Sequence, residues 1–145
     1  MNETATTSSE RPLSRLLLEA AHQVEAGLEQ ALGQVGMSLA KYGVLSHLAR
    51  SGEPMPLSQL AARSACVRSN ITQLVDRLEA EGLVERVPDP SDRRSVRAAL
   101  TAEGRRRFAE GQRLFEEAER TALASLSADE REALARVAGR LTQSR

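Results

Sequence analysis

At Gly82 the sequence changes period, and that change restricts the fold more than any other feature. Before it, LSQLAARSA and RSNITQLVDRLEAEG carry apolar residues at helical spacing, with Ile71, Leu74, Val75 and Leu78 forming the stripe of the longer segment. Ser58 is placed to cap the first of these helices and Gly82 to stop the second. After it, LVERV and SVRAAL alternate apolar with polar or small residues, as strands do, around a Pro/Asp/Ser cluster that signals a turn. Two short helices in close succession read as helix-turn-helix, and the hairpin that follows at once adds a wing.

The flanks are helical. After a flexible polar tail over residues 1–10, Leu13, Leu16, Leu17, Val24, Leu28 and Leu32 recur on one face of a long amphipathic helix that Gly33 and Gly36 weaken. SLAKYGVLSHLARSG predicts a second helix, with Val44, Leu45 and Leu48 inward and Gly52 as its stop, and Pro54 and Pro56 then break the chain. Thr101 opens a charged helix, and Ser127 with Glu130 has the offset of a capping box for a last one. The predicted fold is mainly α with a small β-hairpin wing. Residues 37–100 form the winged helix-turn-helix unit, flanked by a dimerisation helix at 11–36 and further dimerisation helices at 101–145. A unit of about sixty residues cannot cover amphipathic helices at both chain ends, so a homodimer is expected.

Composition narrows the function. The 145-residue chain has the size of one domain, no apolar stretch approaches the length of a membrane span, and MNETATTSSE lacks the basic start and apolar core of an export signal. These features predict a cytoplasmic protein without a membrane partner, and the lone Cys66 agrees with a reducing compartment. Aromatic residues make up only 2% of the chain, which disfavours stacking of single-stranded bases. The net charge is zero, yet residues 61–107 hold ten arginines against seven acids while residues 1–40 hold two against five. A local basic surface inside a neutral chain can still track phosphates.

The run LSQLAARSACVRSNITQLVDRLEAEGLVERVPDPSDRRSVRAALTAEG resembles the winged helix-turn-helix of the MarR family of bacterial transcriptional regulators. The pieces that carry the resemblance are Leu-Val-Asp-Arg-Leu-Glu at 74–79, Gly-Leu-Val at 82–84, Asp-Arg-Arg at 92–94 and Leu-Thr-x-x-Gly at 100–104. It implies a dimeric regulator that binds double-stranded DNA at an inverted repeat, and a repressor released by a small phenolic or lipophilic effector. Arg68, Ser69, Asn70, Thr72 and Gln73, off the apolar stripe, are then the side chains offered to base edges in the major groove, where arginine can fork onto guanine and Asn or Gln onto adenine. The wing extends Arg93 and Arg94 toward a minor groove, with Arg94 inserted, Arg93 on phosphate and Asp92 orienting one guanidinium. Arg77, Arg86 and Arg97 are backbone contacts, although Arg77 could instead pair with Asp76 or Glu81.

One position departs from the family pattern. Where a capping Ser or Asp is usual, this chain has Val67, so Ser69, Asn70 or Ser64 must close the recognition helix. Cys66 beside it has two readings: a small residue packed in the turn, or a redox-sensing thiol activated by Arg63 and Arg68. Met37, Tyr42, His47 and Phe108 are candidates both for lining an effector pocket and for the core. No cofactor is expected, because the sequence lacks a Gly-rich phosphate loop, and no metal site, because His22, His47 and Cys66 lack ligand spacing. No serine or cysteine has an evident base partner, which disfavours an enzyme. A winged-helix module that binds protein rather than DNA is the alternative in a different class.

Overall fold

The computed structural model describes residues 11–64 and 71–143, and these form six helices and three strands. Helix α1 spans Leu13–Gly33 and α2 spans Leu39–Ser51. Strand β1 (Met55–Pro56) leads directly into α3 (Leu57–Arg63), which is followed by α4 (Ile71–Ala80). The wing strands are β2 (Val84–Pro88) and β3 (Val96–Leu100), and the chain closes with α5 (Ala102–Ala122) and α6 (Ala128–Gln143).

Local chemistry sets these boundaries. Ser38 Oγ accepts the Lys41 amide at the start of α2, and Gly52, with φ of 69°, ends it by donating its amide to Leu48. Ser58 is not a cap: Pro56 holds that position and α3 has no side-chain cap, because the helix starts straight out of a strand. That strand is the element the sequence reading lacks. Pro54 and Pro56 predict only a break, yet Met55 and Pro56 pair antiparallel with Ala98 and Arg97, giving a three-stranded sheet of order β1-β3-β2. A proline is tolerated there because β1 is an edge. The β2–β3 hairpin itself runs from Val84 opposite Leu100 to Pro88 opposite Val96.

The core joins the helix-turn-helix to the sheet. Leu45, Leu60, Val75, Leu78 and Ala98 are fully buried, with Met55, Leu83 and Val84 nearly so, and Leu32 carries the same core up into α1. The Leu-Thr-x-x-Gly motif fastens α5 to this block. Thr101 Oγ1 caps α5 by accepting the Gly104 amide at 2.9 Å and donates to the Gly82 carbonyl at 2.7 Å. A Cβ on Gly104 would lie 1.9 Å from the Leu83 carbonyl oxygen, so only glycine lets the first turn of α5 press on the α4–β2 corner. The first and last helices keep apolar side chains bare. Leu13, Leu16, Leu17 and Leu18 are exposed on α1, Leu134, Val137 and Leu141 on α6, and α6 buries no residue at all.

Candidate nucleic-acid interface

Helix α4 buries Leu74, Val75 and Leu78 and turns Thr72, Gln73, Asp76, Arg77 and Glu79 outward. Helical spacing sorts the outward residues into two edges. Thr72, Asp76 and Glu79 follow one edge, and Gln73 and Arg77 the other. Thr72 and Gln73 therefore stand where the sequence places them, exposed on the first turn. Arg68, Ser69, Asn70 and Cys66 lie outside the described residues, as does the cap position at Val67. Ser64, the other candidate cap, is buried, and its Oγ has no partner among the described residues.

The wing tip is built by carboxylates that hold backbone. Asp89, 8% exposed, accepts the Ser91 amide at 2.9 Å and the Ser91 hydroxyl at 2.7 Å, and its other oxygen faces Arg97. Arg97 Nε sits 3.1 Å from that oxygen but off the line of its N–H, so the contact is an ion pair rather than a directed hydrogen bond. The Ser91 amide and hydroxyl, and after them Arg97, hold the Asp89 carboxyl at about 2. Asp92 has a different task from the one expected of it. Its Oδ1 accepts the backbone amide of Arg94 at 2.9 Å, and its carbonyl accepts the Ser95 amide at 3.1 Å, so Asp92 shapes the turn instead of orienting a guanidinium. Arg93 and Arg94 project from this turn, exposed and without an ion pair among the described residues.

Arginines assigned to the DNA backbone divide on the same basis. Arg77 is exposed and unpaired among the described residues, because both of its expected partners are taken: Asp76 by Arg86 and Glu81 by Lys41. Arg86 and Arg97 are half-buried and turned inward, Arg86 onto Asp76 and Glu79 of α4, Arg97 onto Asp89. Both were expected on phosphate, and both stand in ion pairs with carboxylates of this chain instead of projecting freely as Arg77 does. Sequence reasoning missed Asp89, although Asp-Pro-Ser is an Asx-turn signal that could have found it. It had no signal for the Asp76–Arg86–Glu79 contact, which depends on where β2 lies against α4.

Of the four residues considered for an effector pocket, Met37, Tyr42 and Phe108 pack in or against the core and His47 stands apart from them. Met37 and Tyr42 are buried in the core, and Tyr42 stacks on Phe108 and Phe115 with ring centroids 5.5 and 4.7 Å apart. Gly111 lets α5 approach this cluster, its Cβ position lying 3.2 Å from Met37 Sδ. His47 is half-buried at the α2–α3 contact, where burial and then Arg63 and Arg50 push its pKa down against a hydrogen bond to the Arg63 backbone. A cleft of about 530 Å³ opens elsewhere, between α1 and α5, lined by Val24, Ala31, Leu114 and Ala118 with Gln30 and Glu117 among its polar groups.

A two-helix turn, a paired three-stranded sheet and a wing with projecting arginines can be compared with known proteins. The model of the MarR family matches residues 35–95, from the end of α1 to the wing tip. The HTH-type transcriptional regulator PecS of Dickeya dadantii is 32% identical over 123 residues, which cover 81% of this chain and 72% of PecS. The chain belongs to the MarR family. YkoM of Bacillus subtilis, an uncharacterized HTH-type transcriptional regulator, is 39% identical over 69 residues, but the match spans 48% of this chain and 44% of YkoM. Among solved structures, the MarR family regulator Sco3205 from Streptomyces coelicolor, in complex with DNA, superposes with a TM-score of 0.86 at 29% identity. That alignment covers 98% of this chain and 91% of Sco3205, so the MarR architecture extends beyond the winged unit to the helices at both ends.

Proposed function

We propose that the protein is a sequence-specific, double-stranded DNA-binding transcriptional regulator that acts in the cytoplasm as a homodimer on an inverted repeat. Helix α4 enters the major groove with Thr72 and Gln73 toward base edges, joined by Arg68, Ser69 and Asn70. Arg94 enters the neighbouring minor groove from the wing, and Arg93 and Arg77 lie on phosphates. The observation that carries this reading is the contrast among arginines: those on the outer rim of α4 and the wing are exposed and unpaired among the described residues, while those behind them are held by carboxylates. Relatives that are transcriptional regulators favour it over a protein-interaction module.

The bare leucines of α1 and the apolar face of α6 support the dimer, and two-fold symmetry sets the recognition helices about one DNA turn apart. A small effector that releases the repressor from DNA fits the α1–α5 cleft better than the packed Met37–Tyr42–Phe108 cluster, because the cleft has room for one. The test is to let the protein select from a random pool of 30-base-pair duplexes and to footprint the product. Two protected half-sites in inverted orientation are expected. Selection of no duplex at any salt concentration would overturn the proposal.

A further inference from the structure

The wing-side edge of the recognition helix is acidic, which is a poor surface to present to a polyanion. Thr72 is followed along that edge by Asp76 and Glu79, each exposed and about one turn from the next. Bare carboxylates there would face phosphate oxygens when Thr72 and Gln73 approach the bases, and like charges brought together in an interface oppose binding. Arg86 answers both. It rises from β2, the strand that packs behind the helix, and its Nη2 donates to Asp76 Oδ1 while its Nη1 donates to Glu79 Oε2. The three side chains sum to a single negative charge where two would otherwise stand. The same contact joins the first wing strand to the recognition helix, so the two parts that must meet DNA together are tied by one side chain.

We propose that Arg86 is an internal counter-ion of the recognition helix, a positioning residue that masks Asp76 and Glu79 from the DNA backbone and does not itself contact phosphate. This rests on the DNA-binding reading above. It accounts for a half-buried arginine with two carboxylate partners on a surface where free arginines are more useful. It also accounts for two acids on the edge of a helix that reads DNA.

The test compares wild type, Arg86→Gln, the double variant Asp76→Asn/Glu79→Gln and the triple variant carrying all three changes. The probe is the duplex that the wild type selects from a random pool. Arg86→Gln should weaken binding about 10- to 100-fold, the scale of uncompensated like charges in an interface. The triple variant should recover to within about threefold of wild type, because with no carboxylates there is nothing to mask. A direct phosphate contact predicts otherwise: the triple variant would stay as weak as Arg86→Gln, and both would lose about one unit of the log–log salt slope. That result overturns the proposal.

Thermal unfolding of the four proteins without DNA gives a second reading. A ΔTm cycle in which Arg86→Gln costs stability only while the two acids are present supports the clamp, and an additive cycle contradicts it. This arm stands even if the wild type selects no duplex, in which case it is the DNA-binding reading that fails.

Discussion

Gly104 and Asp89 show how single residues keep the winged unit in shape. Gly104 is the last residue of the Leu-Thr-x-x-Gly run, and the oxygen 1.9 Å from its would-be Cβ is backbone, which cannot swing aside. Gly104→Ala should therefore cost about 3 kcal/mol or more, measured by denaturant unfolding, a large penalty for one methyl group. Asp89 gives the wing a pH dependence. Its carboxyl titrates at about 2 in the folded chain, below the ordinary unfolded value of about 3.9. Its contribution is thus fully present above about pH 4 and is lost as pH falls through about 2. Hydrogen exchange at the Ser91 amide should accelerate, relative to intrinsic rates, as wild type is acidified through that window. In Asp89→Asn the exchange should be faster at pH 5 and show no such step.

Helices were more legible in the sequence than the contacts between them. The apolar spacing of Leu74, Val75 and Leu78, the stops at Gly52 and Gly82, and the cap at Thr101 all follow from local rules, and the structure has them. So does the Ser127–Glu130 capping box, in which Ser127 Oγ accepts the Glu130 amide at 3.2 Å and the Glu130 carboxylate accepts the Ser127 amide at 2.8 Å. Ser127→Ala should lower the stability of α6 by about 1 kcal/mol, visible as earlier loss of helical circular dichroism on heating. Strand β1 was not legible, because two residues, one of them a proline, carry no period, and only the presence of β3 makes them a strand. For the same reason the sequence could name Arg86 and Arg97 as basic but not as paired. Their partners lie on other elements or across the wing turn, and the register of β2 against α4 decides the contact.

Helices α1 and α6 leave apolar faces uncovered, and these faces are the strongest support for the proposed dimer. Seven large apolar side chains stand exposed on α1 and α6, while the winged unit between them has a closed core. Leu17→Asp combined with Leu141→Asp should yield a monomer in sedimentation at micromolar concentration. Affinity for an inverted repeat should then fall by about 10²- to 10⁴-fold, since each half-site would have to be bound without the tether of its twin. An unchanged sedimentation coefficient in this variant would mean that those faces do not form the interface.

The central claim, that α4 and the wing read double-stranded DNA through exposed arginines, is tested most directly by affinity for the selected duplex as a function of salt. Each neutralised phosphate contributes about 0.9 to the negative slope of log K against log salt. Wild type should show a slope of several units, and replacing Arg93 and Arg94 together by alanine should reduce it while lowering affinity at every salt concentration. Wild-type binding that is indifferent to salt, or an Arg93→Ala/Arg94→Ala variant with wild-type slope and affinity, would contradict the account.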